Sequence, residues 1–314
     1  PKLTVILSTR AESIYQKINW FTNLSPLGSN EFDKLEILPS TNIKYELSDR
    51  QNLKFAASKT YTLPQFKERA PFQFEDATET TFGNPDLYLS TDYNADIKWE
   101  FFPKSNEVIS VTAFGKLIQN PINEITVASA TNDISYVNTG EKAIAIGGEF
   151  EIRKNIFEID SDNKENLTAG FNASYMYNNQ DFDGQKVTDE TNLSVFFSNK
   201  EGKLTGASDL LLNSDISYFK EFSKERNLLA TLTYNYFSDR IYALGTSERG
   251  NLVDKAVGTL DFILRSKITK NIGLGLTVKN ILDPTIERIQ DKQNVLVESY
   301  KKGTNFKFSV TYKF

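Results

Sequence analysis

The sequence predicts an all-β protein, a transmembrane antiparallel β-barrel with about twelve strands in 314 residues. Three observations predict it. Apolar and polar side chains alternate with a period of two in segment after segment, the apolar faces often end in aromatic residues, and the links between segments alternate strictly between long and short. No run of 18 apolar residues occurs, so a membrane-spanning helix is excluded. Barrel strands leave no such run, because every second side chain faces a wet lumen.

In chain order, the first three segments carry Leu3, Val5 and Leu7, then Ile43, Tyr45 and Leu47, then Leu53, Phe55 and Ala57. The fourth places Tyr93, Ala95, Ile97, Trp99 and Phe101 on one face and Asn94, Asp96, Lys98 and Glu100 on the other, and the fifth carries Ile109, Val111 and Ala113. Ile144, Ile146, Phe150 and Ile152 then oppose Glu149, Glu151 and Arg153, and Leu167, Ala169, Phe171, Ala173, Tyr175 and Tyr177 oppose Thr168, Gly170, Asn172 and Ser174. Leu212, Ile216 and Tyr218 alternate with Asn213, Asp215 and Ser217; Leu228, Ala230, Leu232, Tyr234 and Tyr236 with Thr231, Thr233 and Asn235. The last three segments set Leu260, Phe262 and Leu264 against Asp261, Arg265 and Lys267, then Ile272, Leu274, Leu276 and Val278 against Gly273, Gly275 and Thr277. Phe306, Phe308, Val310, Tyr312 and Phe314 complete the series.

A soluble antiparallel sandwich would also alternate. Two features favour the barrel. Pairs such as Trp99 with Phe101 and Tyr234 with Tyr236 stand where a membrane interface would hold an aromatic girdle. Short links at 48–51, 103–106, 154–164, 221–227 and 269–271 also alternate with long ones at 20–36, 62–90, 118–142, 179–207, 240–256 and 282–303. Outer-membrane barrels sort their connections this way, with short periplasmic turns and long outer loops, whereas a sandwich has no reason to. On that rule the C-terminus is periplasmic and the first strand runs outward. Parity then predicts lumen-facing Asn94, Asp96, Lys98, Glu149, Glu151, Asp215, Asp261, Arg265 and Lys267, and lipid-facing Ile97, Trp99, Phe262 and Leu264.

Composition removes several function classes. With no His and no Cys there is no His-based triad, cysteine nucleophile, thiolate or imidazole metal site, or disulfide. An enzyme is not expected. Thirty-six basic and 41 acidic residues, both spread along the chain, leave no basic face for nucleic acid. The spacing of Asn179, Asp181, Asp183, Gly184 and Glu190 matches oxygens at positions 1, 3, 5 and 12 of a calcium loop with glycine at 6. Lys186 and the strand-like flanks depart from that pattern, so a solvated acidic loop tip is the other reading; Asp160, Asp162 and Glu165 form a second acidic turn. The link 62–90 gathers Phe66, Phe72, Phe74, Phe82 and Tyr88, rings that could stack on a ligand or partner, or pack the loop upon itself.

The tail 303–314 (GTNFKFSVTYKF), 278–284 (VKNILDP), 84–87 (NPDL) leading into the fourth strand, and 38–47 (LPSTNIKYEL) resemble the C-terminal half of the barrel of a TonB-dependent outer-membrane receptor. The likeness covers essentially the whole of 1–314, so the chain is expected to be the C-terminal portion of that barrel domain, without plug or TonB box. The resemblance implies strands eleven to twenty-two of a 22-stranded barrel in a Gram-negative outer membrane, enclosing a plug pulled by TonB. It implies import of a scarce bulky solute: a siderophore-like chelate, a glycan or a peptide. It also implies that Phe314 belongs to the barrel-assembly signal. Expected partners are the rest of the barrel and plug in the same or another chain, the TonB complex, outer-membrane lipid and a surface lipoprotein. The competing class is a non-transporting barrel that serves as a structural platform in an outer-membrane complex.

Overall fold

The computed structural model describes residues 2–21, 27–76, 79–127, 133–159 and 164–314. One long antiparallel sheet forms its wall. In wall order the strands are β1 Leu3–Trp20, β2 Gly28–Ser48, β3 Gln51–Thr62, β4 Ser90–Phe101, β5 Val108–Gln119, β6 Lys142–Ile159, β7 Glu165–Asp181, β8 Leu210–Ser223, β9 Arg226–Phe237, β10 Val257–Lys267, β11 Ile272–Lys279 and β12 Asn305–Tyr312. Each pairs with its sequence neighbour, as an up-and-down barrel wall requires, and Glu201–Gly202 adds a two-residue extension on β7. The sheet is not closed by the described residues, since β1 and β12 each have one partner. Among the described residues no helix is long and apolar enough to cross a membrane, which says nothing about strands.

All twelve alternating segments are strands, but the first two are longer than the alternation shows. The expected link at 20–36 is largely strand, because β1 and β2 stay paired from Leu3↔Tyr45 up to Trp20↔Gly28. Their upper halves mix Tyr15, Gln16, Lys17, Glu31, Phe32 and Asp33 without regular alternation of polarity, although burial in β1 still alternates, with Ile14, Gln16 and Ile18 buried and Ser13, Tyr15 and Lys17 exposed. β3 leaves β2 at Ser40↔Ser58, beside Pro39, which has no N–H to offer a neighbour. The expected short link at 154–164 shrinks likewise, with β6 continuing to Ile159. Asp160 and Asp162 lie outside the described residues.

Register shifts in the wall fall at Glu46/Ser48, Asn155/Phe157 and Glu221/Ser223, all beside short turns. Between them parity is unbroken. A bulge changes which face the following residues occupy, so confining bulges to the short-turn end keeps the apolar faces continuous along the rest of the wall. Tyr93, Ile97, Val111, Ile144, Ile146, Phe150, Phe171, Tyr175, Tyr177, Ile216, Leu232, Leu274, Phe306, Phe308 and Val310 are all exposed on one face. The deeply buried wall residues Asp92, Glu100, Ser110, Thr112, Ala143, Ala145, Asn178 and Gln180 lie on the other.

The apolar core lies in the long links. Ile122–Thr126, Ile134–Asn138, Gln73–Glu75 and Thr80–Phe82 form one four-stranded sheet, and Arg240–Ala243, Leu252–Asp254, Ile286–Gln290 and Val295–Tyr300 form another. Ile125, Val137, Val187, Val195, Phe197 and Leu244 pack into one cluster, and Ile134, Ala243 and Leu252 into a second.

A lysine at Ile97 would stand among Phe55 and Ala113 on the apolar face, whereas one at Thr112 would stand beside Lys98 and Glu149. Ile97→Lys is expected to destabilise the membrane-inserted barrel by about 2–4 kcal/mol and lower its abundance in outer membranes, with Thr112→Lys close to neutral. Heat-modifiable gel migration of the full-length protein checks this; equal loss in both would show that the faces are not distinguished.

Candidate functional site

The wall has one polar face, and its ladder fixes which residues share it. Lys98 stands opposite Thr112, Thr112 opposite Glu149 and Glu149 opposite Ser174. Glu151 stands opposite Ser110, which faces Glu100. Gly170 carries the face on to Asp215, then Thr233, then Asp261. Asn94, Asp96, Lys98, Glu149, Glu151, Asp215, Asp261, Arg265 and Lys267 therefore all lie on one side of the sheet. Lys44, Lys54 and Lys98 stand directly opposite one another on three neighbouring strands, an arrangement that is repulsive by itself. Carboxylates beside them offset the repulsion: Lys44 pairs with Glu46 at 2.9 Å, Lys54 with Glu100 at 2.7 Å, and Lys98 with Glu100 at 3.6 Å and Glu151 at 4.0 Å. These lysines, with Asp96 and Glu149, line a depression of about 440 Å³.

At the long-link end the loops lock together through buried polar groups. Arg69, at the end of the short helix α1 Phe66–Arg69, is 1% exposed. It donates to Gln16 and Asn30 at 2.6 Å each and to the Pro85 carbonyl at 3.2 Å, and its guanidinium lies 4.8 Å from the Phe32 ring centre. Its Nε has no hydrogen-bond partner among the described residues. Burial pulls its pKa down and pushes that of the nearby Asp86 carboxyl up. Asn84 of the NPDL segment donates to the Tyr136 carbonyl at 2.9 Å and accepts from the Asp86 N–H, an Asx turn that pins this link to the next. Asn123, Thr139 and Gln180 form a closed amide and hydroxyl network, and Thr126 and Thr246 tie the sheets together. Arg288 holds Asp254 at 2.7 Å, Glu79 at 3.3 Å and Glu298 at 3.8 Å, with its guanidinium 3.2 Å from the Tyr242 ring centre. Tyr242 donates to Glu79 at 2.5 Å, and burial and that carboxylate push its phenol well above the ordinary value.

The predicted aromatics divide. Phe66, Phe72 and Phe74 are exposed at the long-link end, while Phe82 and Tyr88 are half-buried. Tyr88 donates to Glu190 at 2.9 Å and contacts Lys186. The calcium-loop residues do not converge. Asp181 accepts from the Glu141 and Lys142 N–H groups, Asp183 caps the helix α2 Gly184–Glu190, Glu190 accepts from Lys186 and Tyr88, and Asn179 donates to Glu201. A helix thus occupies what the spacing read as an ion-wrapping loop, and among the described residues no three acidic groups gather as a metal site. Asp261 does more than line the face, since its Oδ1 accepts the N–H of Asn280, held at φ 57° where the VKNILDP segment turns off β11. Arg69, Asn123, Gln180, Glu124 and Arg288 were not singled out from the sequence; a lone arginine in a loop gives no local sign of what will surround it. Phe314 is fully exposed and meets Tyr312 edge-on at 5.2 Å.

An up-and-down wall with one apolar exposed face, one charged face and structured loops at one end defines a transmembrane β-barrel wall. The sequence model of the family described as TonB dependent receptor-like, beta-barrel, matches residues 1–281, and the chain belongs to that family. No curated protein matches it. Similar solved structures include a mutant of the ferric enterobactin receptor PfeA from Pseudomonas aeruginosa, at 18% identity and TM-score 0.56, covering 98% of this chain and 45% of that one. The FrpB iron transporter from Neisseria meningitidis (F5-1 variant) matches at 13% identity and TM-score 0.57, covering 100% and 44%. The siderophore receptor PirA from Acinetobacter baumannii matches at 18% identity and TM-score 0.55, covering 98% and 46%. The chain thus spans less than half the length of each.

Glu124 yields a pH prediction. It stands opposite Tyr136 between buried Asn123 and Ile125, and burial, then Glu79 and Glu68, raise its pKa to about 7. A carboxyl with a raised folded pKa leaves the folded state unharmed below its unfolded value, near 4.5, and destabilises it increasingly up to about 7. Loop packing should therefore weaken from pH 5 to pH 8 by about 1–3 kcal/mol. Glu124→Gln should remove that slope in hydrogen exchange of 122–126 and 134–138 in the full-length protein; an unchanged slope would assign it elsewhere.

Proposed function

We propose that this chain forms part of the wall of an active importer that carries a scarce, bulky solute across a bacterial outer membrane, driven through TonB. The polar face lines the lumen, the apolar face meets lipid, the loop sheets form the outer mouth, and the short turns and C-terminus are periplasmic. The observation that carries this reading is one wall face bearing Lys98, Glu149, Asp215, Asp261 and Arg265 beneath a packed loop assembly. Such a face needs water or a polar filling against it, because isolated charges against an apolar one would be prohibitively costly, and a plug provides that filling. The rest of the wall, the plug and the TonB complex are accordingly its partners, and Phe314 contributes to the signal read during barrel assembly.

Among the solute classes, a siderophore-like chelate is favoured over a glycan or a peptide. Structures of similar fold carry the names ferric enterobactin receptor, iron transporter and siderophore receptor, and the exposed Phe66, Phe72 and Phe74 offer rings at the mouth. No catalytic role follows from the arrangement.

The test is uptake by the native host under iron limitation. Deleting the full-length gene, or collapsing the proton-motive force, should each reduce entry of the imported ferric chelate at least tenfold. Undiminished uptake of every ferric chelate tested would turn the reading toward a structural platform.

A further inference from the structure

The register places an arrangement on the last three strands that is absent from the ion-paired part of the wall around Lys44, Lys54 and Lys98. On the polar face, β10, β11 and β12 form four successive rungs. Lys279 lies opposite Asn305 on the rung that Asp261 shares, followed by Ile263, Thr277 and Lys307, then Arg265, Gly275 and Ser309, then Lys267, Gly273 and Thr311. Each rung holds one cation, and successive rungs are ~6.8 Å apart. The one carboxylate among them, Asp261, is turned to the Asn280 N–H. No ion pair engages Lys279, Lys307, Arg265 or Lys267 among the described residues, in contrast to Lys44, Lys54 and Lys98, which neighbouring glutamates neutralise. The next strand offers only Asn227, Leu229, Thr231 and Thr233 at these levels.

The ladder joins two open spaces. At its upper end a cavity of about 500 Å³ lies between the last long link and the wall, where Lys279 and Lys302 stand with the carboxylates Asp254, Asp261, Glu287 and Glu298 and with Arg240, which Asp254 pairs. At its lower end a trough of about 410 Å³ runs over Gly273 and Gly275, flanked by Arg265, Lys267 and Lys307 and by the hydroxyls of Thr277, Ser309 and Thr311, with no acidic residue in its lining. A Cβ at Gly275 would fall 2.5 Å from Ser309 Oγ, so a larger residue there would turn that hydroxyl away from the trough. Cations held in a row without counter-ions repel one another, and the row is relieved when negative charge lies along it. Weak sites in series also let a charged solute enter and leave without being trapped.

We propose that β10–β12 present a cation ladder that binds a polyanionic solute and passes it from the mouth toward the short-turn end. This rests on the importer reading above and narrows its solute to one bearing several negative charges, such as carboxylates. The ladder favours a solute over an acidic polypeptide segment because it continues a ligand-sized cavity under the loops.

The test uses the full-length protein in detergent, with citrate and inositol hexakisphosphate as probes and a neutral trisaccharide as control. Titration calorimetry at low and high salt is compared with K279Q/R265Q/K307Q, whose folding is checked by heat-modifiable migration. Binding of the polyanions that weakens at least tenfold on raising salt, and at least tenfold in the variant, with no trisaccharide binding, supports the ladder. Equal polyanion affinity in the two proteins, or no binding by the native one, overturns it. A third outcome also overturns it: R265E/K307E lowers the melting temperature while polyanion binding persists, which assigns the ladder to an acidic protein segment. TonB dependence of uptake in the host is scored separately, so loss of that dependence with ladder binding intact would sink the importer reading alone.

Discussion

The wall depends on the pairing of backbone amides between neighbouring strands. In hydrocarbon an unpaired N–H or C=O has no water to turn to, so each strand must be laddered to the next along its length. The ladder in turn fixes which side chains share a face, and a one-residue slip anywhere would exchange Ile97 and Trp99 for Asp96 and Lys98. The three bulges sit by the short turns, where a change of parity meets water or headgroups. The outer edges of β1 and β12, each with one partner among the described residues, are subject to the same demand.

A barrel wall cannot build an ordinary core, since one face meets lipid and the other a polar interior. Burial of apolar side chains therefore moves to the loops, where Ile125, Val137, Val187 and Leu244 come from three different links. The loops are joined by polar groups as well as by apolar contact. Arg69 fastens the first hairpin to the second long link, and Arg288 draws Glu79 of that link and Asp254 of the link 240–256 to its own, where it also meets Glu298. Removing a partner from such a buried cation is far more damaging than the pair is stabilising. The long-link end is consequently a packed assembly on which exposed Phe66, Phe72 and Phe74 are carried.

What could be read from the sequence follows from the same physics. The strands from Tyr93 onward alternate cleanly because lipid on one side and polar surroundings on the other impose opposite demands on successive residues. The upper halves of β1 and β2 escape notice because Tyr15, Gln16, Lys17 and Ile18, like Glu31, Phe32, Asp33 and Lys34, rise past the apolar band and lose the alternation. The loop sheets are opaque for another reason: Glu124, Arg288 and Gln180 acquire their roles from residues as far as 209 positions away. In the calcium-like spacing at 179–190, Asp183 caps a helix, a use of Asp that the spacing alone does not distinguish from ion binding.

The central claim is that one face of the wall is wet and the other meets lipid, with a period of two. This chain has no Cys, so single cysteines can be placed in turn at 94–99 of the full-length protein, with any cysteines elsewhere removed, and spin-labelled in liposomes. The account predicts that labels at Asn94, Asp96 and Lys98 are reached by a water-soluble relaxation agent and that labels at Ala95, Ile97 and Trp99 are reached by oxygen dissolved in the bilayer. Accessibility without alternation, or alternation in the opposite phase, would contradict it.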